Sequence, residues 1–245
     1  MSEIKHIEAG RPARPGQLIL ERRKRLADQL IGNVTGYGKM LDIGCGNGAQ
    51  TVLFAGCGSA VIGLDMTPHH ETESPVTAEG ITYICGSALE LPFADSSFDT
   101  ITCFEVLEHL PYERVALSEA YRVLRDGGRM LFSVPNKWWL LESHGATVPG
   151  LNWIPWNRIP FVGWLPTPIH SRIARARIYT MKRATTLAIE AGFAVRDRGY
   201  ITAPLDVLPD SKLRDSLRNG VFKGDRTGNA LLAVNLFLWL EKSNS

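Results

Sequence analysis

Leu41-Asp42-Ile43-Gly44-Cys45-Gly46-Asn47-Gly48 is a short apolar run that breaks into three alternating glycines. The run reads as a buried strand, Met40 to Ile43, entering a turn where the backbone bends sharply and a ligand can approach without meeting a Cβ. Ala49 to Phe54 behind it can start a helix. Strand, glycine turn and helix form the first unit of a parallel α/β sheet, whose ligands bind beyond the carboxyl ends of the strands. Asp65 closes the next apolar run, where a carboxylate can accept hydrogen bonds from two ribose hydroxyls. The rival reading is a dinucleotide site. Its glycines follow G-x-G-x-x-G, whereas these follow G-x-G-x-G, and Asp42 would repel a pyrophosphate while suiting a ligand with an ammonium and a sulfonium.

Working outward, short apolar runs recur at Ala60 to Leu64, Ile81 to Cys85, Phe98 to Cys103, Met130 to Val134, Phe193 to Arg198 and Leu232 to Leu240. Helical stretches such as Ala116 to Arg125 and Met181 to Ala191 alternate with them, which predicts a mainly parallel sheet with helices on both faces. The chain has 245 residues and 44% hydrophobic content, enough for one large core. Residues 1–37 read as an N-terminal arm and a helix from Gln17 to Ile31, in which Arg22-Arg23-Lys24-Arg25 would form a solvated face. Residues 38–245 read as a single domain. Between about 137 and 179 the strand and helix rhythm stops, yet five of the six tryptophans (Trp138, Trp139, Trp153, Trp156, Trp164) fall there, as expected of a lid or acceptor-binding insert.

A net charge of +2 does not by itself call for a polyanionic partner, although basic residues also gather from Arg172 to Arg183. Cys45, Cys57, Cys85 and Cys103 make no C-x-x-C pair, and neither the N-terminus nor the apolar stretch near Ala230 to Leu240 reads as a signal or a membrane span. The expected setting is cytoplasmic.

The ordered set Leu41 to Gly48, Gly63-Leu64-Asp65, Ala88-Leu89-Glu90-Leu91-Pro92-Phe93 with Ser97-Phe98-Asp99, Glu105-Val106-Leu107-Glu108-His109 and Val123-Leu124-Arg125-Asp126-Gly127-Gly128 resembles the motifs of class I S-adenosylmethionine-dependent methyltransferases. The likeness is nearest to the small-molecule type of the ubiquinone and menaquinone pathways and covers about residues 38 to 136. It implies a Rossmann-like three-layer α/β sandwich whose seven-stranded, mostly parallel sheet ends in an antiparallel strand. It implies S-adenosyl-L-methionine as cofactor, passing over Gly44, Cys45 and Gly46. Asp42 would hold its amino end, Asp65 its ribose, and Met66 its adenine. Ser87, Ala88 and Leu89 would cap the base, with Ser87 standing where relatives often place an aspartate. Phe104 would lie near the sulfonium.

Methyl transfer from a sulfonium is an in-line displacement, so acceptor positioning matters throughout and a base only where the acceptor must lose a proton. The end of the fourth strand offers Glu105, Glu108 and His109, which would share a face of a helix starting there. His109, Glu108 and His144 are the catalytic candidates, as base or positioning groups. The spacing E-x-x-E-H is also similar to that of ubiquinone-pathway catechol O-methyltransferases and small-RNA 2′-O-methyltransferases. That likeness implies a divalent metal on Glu105, Glu108 and His109, with His144 or His170 as a further ligand. A third reading makes Glu108 and His109 merely structural. His69 and His70 are expected in a solvated loop.

The tryptophans and the arginines behind them suit an amphiphilic acceptor, such as a prenylated quinol or glycolipid, and a peripheral membrane contact. The expected activity is methyl transfer, with O-methylation favoured, to a small-molecule or lipid-like acceptor. An RNA methyltransferase is the alternative, but Phe104-Glu105-Val106-Leu107 is unlike the N/D-P-P-Y of base methylases, and nucleic acid is not the expected partner. A non-catalytic S-adenosylmethionine-binding protein is the other alternative.

Overall fold

A computed structural model describes residues 13–32, 36–72, 74–141, 144–148, 150, 156, 159–206 and 208–243. Trp153 and Glu142, both within the insert, lie outside the described residues, as does most of the N-terminal arm. The strands are β1 (Lys39–Ile43), β2 (Ala60–Asp65), β3 (Ile81–Cys85), β4 (Phe98–Phe104), β5 (Leu124–Pro135), β6 (Phe193–Thr202), β7 (Arg226–Thr227) and β8 (Ala233–Lys242). They form one eight-stranded sheet in the order β3-β2-β1-β4-β5-β8-β6-β7. Every pairing from β3 to β5 is parallel, while β8 runs antiparallel to both β5 and β6. The eighth strand, beyond the seven expected, is the two-residue ribbon β7 on the edge of β6.

Alternation along the strands divides the core into two faces. Leu41, Met130, Phe132, Leu236 and Leu238 point to one face and pack on α2 (Glu113–Val123) and α4 (Met181–Glu190). Met40, Leu131 and Phe237 point to the other and pack on α1 (Leu18–Ala27), which continues as a π-helical turn to Gly32. Helices on both faces of the sheet complete the Rossmann-like three-layer sandwich. α3 (Thr167–Ile173) and α5 (Lys212–Asn219) lie in the connections after β5 and β6.

Several boundaries moved. β5 begins at Leu124 because Gly127, at φ 70°, lets the strand kink and shift register against β4 between Phe98 and Thr100. Only a 3₁₀ turn, Thr51–Phe54, follows the glycine loop. The basic run of α1 is not a solvated face either. Arg22 and Arg23 are buried, and the Arg22 guanidinium donates to the carbonyls of Thr202 (2.6 Å), Ala203 (3.0 Å) and Phe222 (2.7 Å). These bonds moor α1 across the carboxyl end of β6 and to the connection that follows it.

β1 is flanked by β2 on one side and β4 on the other, so consecutive crossovers leave it in opposite directions. A sheet of this kind opens a crevice at the carboxyl ends of the two strands where the winding reverses. Here those ends are Ile43, leading into the glycine loop, and Phe104, leading to Glu105.

Candidate active site

The glycine loop is stitched to the end of β2. The N–H groups of Gly44 and Cys45 donate to Leu64 O (2.7 and 3.1 Å), and Gly46 N–H donates to Asp65 Oδ2 (2.9 Å). Thr67 N–H donates to Asp65 Oδ1 (3.0 Å), which fixes the carboxylate at the strand end. Gly44 has φ 74°, and a Cβ there would stand 2.1 Å from Val106 Cγ2. Both conformation and space therefore demand glycine. Gly48, at φ 84°, would meet the carbonyl of Val76 at 2.2 Å.

Asp42 sits behind this loop, 2% exposed. The Thr51 and Thr102 hydroxyls donate to its two oxygens at 2.6 and 2.7 Å. Burial pushes its carboxyl up to about 6, against the hydroxyl bonds and the charge of Arg23, while Asp65 adds a small upward push. A folded-state value above the unfolded one gives stability that is complete below about pH 3.8 and is lost as pH rises through about 6. The full difference is about 3 kcal/mol. Asp42→Asn removes this dependence, so urea unfolding at pH 5 and pH 7 should show the variant gaining on the wild type at the higher pH. A constant difference between the two proteins would refute the assignment.

On the far side of the loop, Met66 is exposed, and Ala88 is buried beside Leu89. Ser87 Oγ accepts from Leu89 N–H (3.1 Å), shaping that turn. His69 departs from expectation. Its ring stacks on Tyr83 with centroids 3.7 Å apart, and Nε2 lies 3.1 and 2.9 Å from the carbonyls of Asn47 and Val76. Nε2 must therefore carry the proton, and the residue braces the glycine loop from outside. His70 is exposed, as expected.

The end of β4 does not continue as the expected helix. Glu105 takes a left-handed φ of 59°, and Leu107–His109 forms one 3₁₀ turn. The break sends neighbouring side chains to different places. Glu105 Oε1 accepts from Asn235 Nδ2 (2.6 Å) and faces the Arg23 guanidinium at 3.8 Å. Glu108 turns the other way, where its Oε1 lies 3.9 Å from His109 Nε2 and 3.7 Å from His144 Nε2. The two imidazoles meet edge to face at 4.9 Å. Glu108, His109 and His144 each offer one ligand atom within 4.8 Å of the others. The structure thus draws together the three catalytic candidates and leaves Glu105 out; His170 lies buried on α3.

Electrostatics single out this cluster. Glu108 is fully buried, and neither carboxyl oxygen has a hydrogen-bond partner among the described residues. Burial, reinforced by the negative charge of Glu105, holds its carboxyl well above the usual range. Burial, then the neighbouring charges of His109 and Arg23, push the His144 imidazole down to about 3. His144 is neutral at pH 7 and keeps a lone pair.

Loop, strand ends and cluster surround one cavity of about 1040 Å³. Asp42, Gly44, Cys45, Gly46, Asp65, Met66, Ser87, Ala88, Leu89, Phe104, His109 and His144 all line it. Glu108 stands behind His109. The sequence reading missed a whole wall, in which α1 and the residues before it contribute Ala13, Gln17, Ile19, Leu20 and Arg23. A signal was present. Ile19, Arg22, Arg23, Leu26 and Leu30 follow helical spacing, so the arginines lie on the apolar stripe and not opposite it.

A parallel sheet wound in this order, with an acidic residue before and after a glycine loop at its switch point, is the arrangement of class I S-adenosylmethionine-dependent methyltransferase domains. S-adenosylmethionine is the cofactor of that class. Residues 41–132 match the family model described as a methyltransferase domain. The ubiquinone biosynthesis O-methyltransferase of Parvibaculum lavamentivorans is 29% identical over 163 residues, 65% of this chain and 60% of that protein. An O-methyltransferase of Aspergillus nomiae is 32% identical over 121 residues, 46% of this chain and 53% of that one. The chain thus spans less than two thirds of the length of these curated relatives. Among solved structures, an S-adenosylmethionine-dependent methyltransferase from Mesorhizobium loti superposes with a TM-score of 0.59 at 17% identity, covering 91% of this chain and 99% of that one. At that identity the likeness speaks for the fold alone.

Proposed function

We propose that this chain transfers the methyl group of S-adenosylmethionine to an oxygen of a small or amphiphilic acceptor held against His109 and His144, with Glu108 behind them. The observation that carries the reading is the fully buried Glu108 carboxyl, with no hydrogen-bond partner among the described residues and two imidazole nitrogens within 4 Å. A buried carboxyl in that state is costly. A divalent cation on Glu108, His109 and His144 would offset the cost, since one carboxylate and two imidazoles make a suitable donor set. When bound, the cation would lower the pKa of an acceptor hydroxyl.

The chain's own residues supply the rest of the reading. Asp65 would accept from the ribose hydroxyls, and Asp42 would balance the donor's positive charge across the glycine loop. Met66, with Ser87, Ala88 and Leu89, brackets the space for the adenine. Phe104 forms the apolar floor between donor and acceptor, and α1 walls one side of the cavity. The buried Arg23, held over the Phe104 ring at 5.5 Å, suits the donor's carboxylate.

An amphiphilic acceptor is supported by the insert's surface. Trp138, Leu140, Phe161, Trp164 and Ile169 are exposed, and Arg172 is exposed one turn from Ile169 on α3. Trp164 packs edge to face on both Trp138 and Phe161. Such an aromatic and cationic rim suits peripheral contact with an anionic membrane. No helix among the described residues is long and apolar enough to cross one. The four free thiols support a reducing, cytoplasmic setting.

One experiment tests the whole reading. Labelled methyl donor is offered with water-soluble and prenylated catechols, with and without anionic vesicles, before and after chelation. Label should reach oxygen, turnover should fall at least about tenfold on chelation, and vesicles should favour the prenylated acceptor. Turnover indifferent to chelator would remove the cation, and label on RNA or on no acceptor would overturn the proposal.

A further inference from the structure

We infer that Arg177 is a positioning residue that holds the two halves of the Glu108, His109 and His144 cluster in register. The inference rests on the function proposed for that cluster. Its members come from separate stretches of chain: Glu108 and His109 follow β4, whereas His144 lies in the insert after β5. Something must fix one stretch against the other, because a misplacement of about 1 Å at a reacting centre can cost about 100-fold in rate.

The returning limb of the insert does this. It is tied first to the limb that carries His144: Ala146 bridges Ala174, Thr147 N–H donates to Ile173 O (2.7 Å), and Arg175 Nε donates to Thr147 Oγ1 (2.9 Å). Two residues further on it is tied to the turn that carries Glu108. Arg177 N–H donates to Glu108 O (3.2 Å), and its guanidinium donates to the carbonyls of Leu110 and Pro111. Leu110 and Pro111 line the cavity, while Arg177 stands behind them.

The guanidinium is itself aimed. Arg177 Nε lies 3.9 Å from Glu113 Oε2, and Glu113 accepts 2.6 Å hydrogen bonds from the Tyr179 hydroxyl and from Arg183. Tyr179 in turn pairs with the mouth of the insert, donating from its N–H to Pro135 O (2.9 Å) and accepting from Lys137 N–H (3.0 Å). A planar fork bonding two successive carbonyls is a task that lysine cannot reproduce.

Crystal structures and kinetics of Arg177→Met and Arg177→Lys test the assignment, with Glu113→Gln as a milder variant should Arg177→Met fail to fold. In Arg177→Met, His144 should part from Glu108 beyond the present 4.8 Å span of the cluster. Its kcat should drop about 10- to 100-fold, while the affinity for S-adenosylhomocysteine stays within about twofold. Arg177→Lys and Glu113→Gln should fall between. An Arg177→Met crystal structure with the cluster intact, or unchanged kcat, would overturn the inference. If His144→Ala leaves wild-type turnover unaltered, the proposed function fails instead, and the separation seen in the Arg177→Met crystal still reports on Arg177.

Discussion

Asp65→Ala is expected to weaken binding of S-adenosylmethionine and S-adenosylhomocysteine by about 10- to 100-fold, the equivalent of about 1.5 to 3 kcal/mol for lost charge-assisted hydrogen bonds. The carboxylate stands at the end of β2, half-buried, and its oxygens already accept from the N–H groups of Gly46 and Thr67. Removing it frees the glycine loop at Gly46 as well as deleting the proposed ribose acceptor, so both losses would act on one ligand. The core should survive, because Asp65 belongs to none of the hydrophobic clusters. Calorimetric titration with S-adenosylhomocysteine would show the change directly. Thermal shifts should agree, since a ligand at free concentration L that binds only the native state stabilises it by RT ln(1 + L/Kd). Unchanged affinity would mean that the donor does not lie against β2.

Glu108→Gln and His144→Ala should each lower kcat by about 100-fold or more while leaving donor affinity untouched. The reason is geometric. The cluster lies on the β4 and insert side of the cavity, whereas Asp42, the glycine loop and Asp65 lie on the β1 and β2 side. Glu108→Gln preserves shape and removes the carboxyl's capacity to ionise, so the fold should hold or gain slightly, given the cost of the buried carboxyl it replaces. Single-turnover rates with saturating donor separate this outcome from a binding defect. Equal loss of donor affinity in both variants would contradict the division of the cavity into donor and acceptor halves.

What could be read from the chain alone follows from how local each feature is. The turn at Gly44 to Gly48 and the acid at Asp65 sit at the ends of adjacent short strands, whose near-continuous apolar runs are written in the sequence. The antiparallel last strand came from resemblance and not from periodicity. Glu105 shows where local reading fails. Helical spacing put it on one face with Glu108, but the left-handed backbone at Glu105 and the single 3₁₀ turn after it separate the two side chains. Asn235 and Arg23, distant in sequence, stabilise Glu105 where it stands. The basic run of α1 failed similarly, because charge was taken as a sign of solvent. Arg22 can be buried since three backbone carbonyls from β6 and beyond receive its guanidinium.

By itself the sequence determined the class of fold and the glycine turn at the switch point, and it named the candidates for catalysis, because strand, turn and helix signals act over a few residues. Only the tertiary structure decided that His144 and not Glu105 completes the cluster, that α1 walls the cavity, and that Arg177 stands between the two limbs of the site. Those outcomes depend on which distant carbonyls and carboxylates meet once the sheet has formed, and no local spacing encodes that.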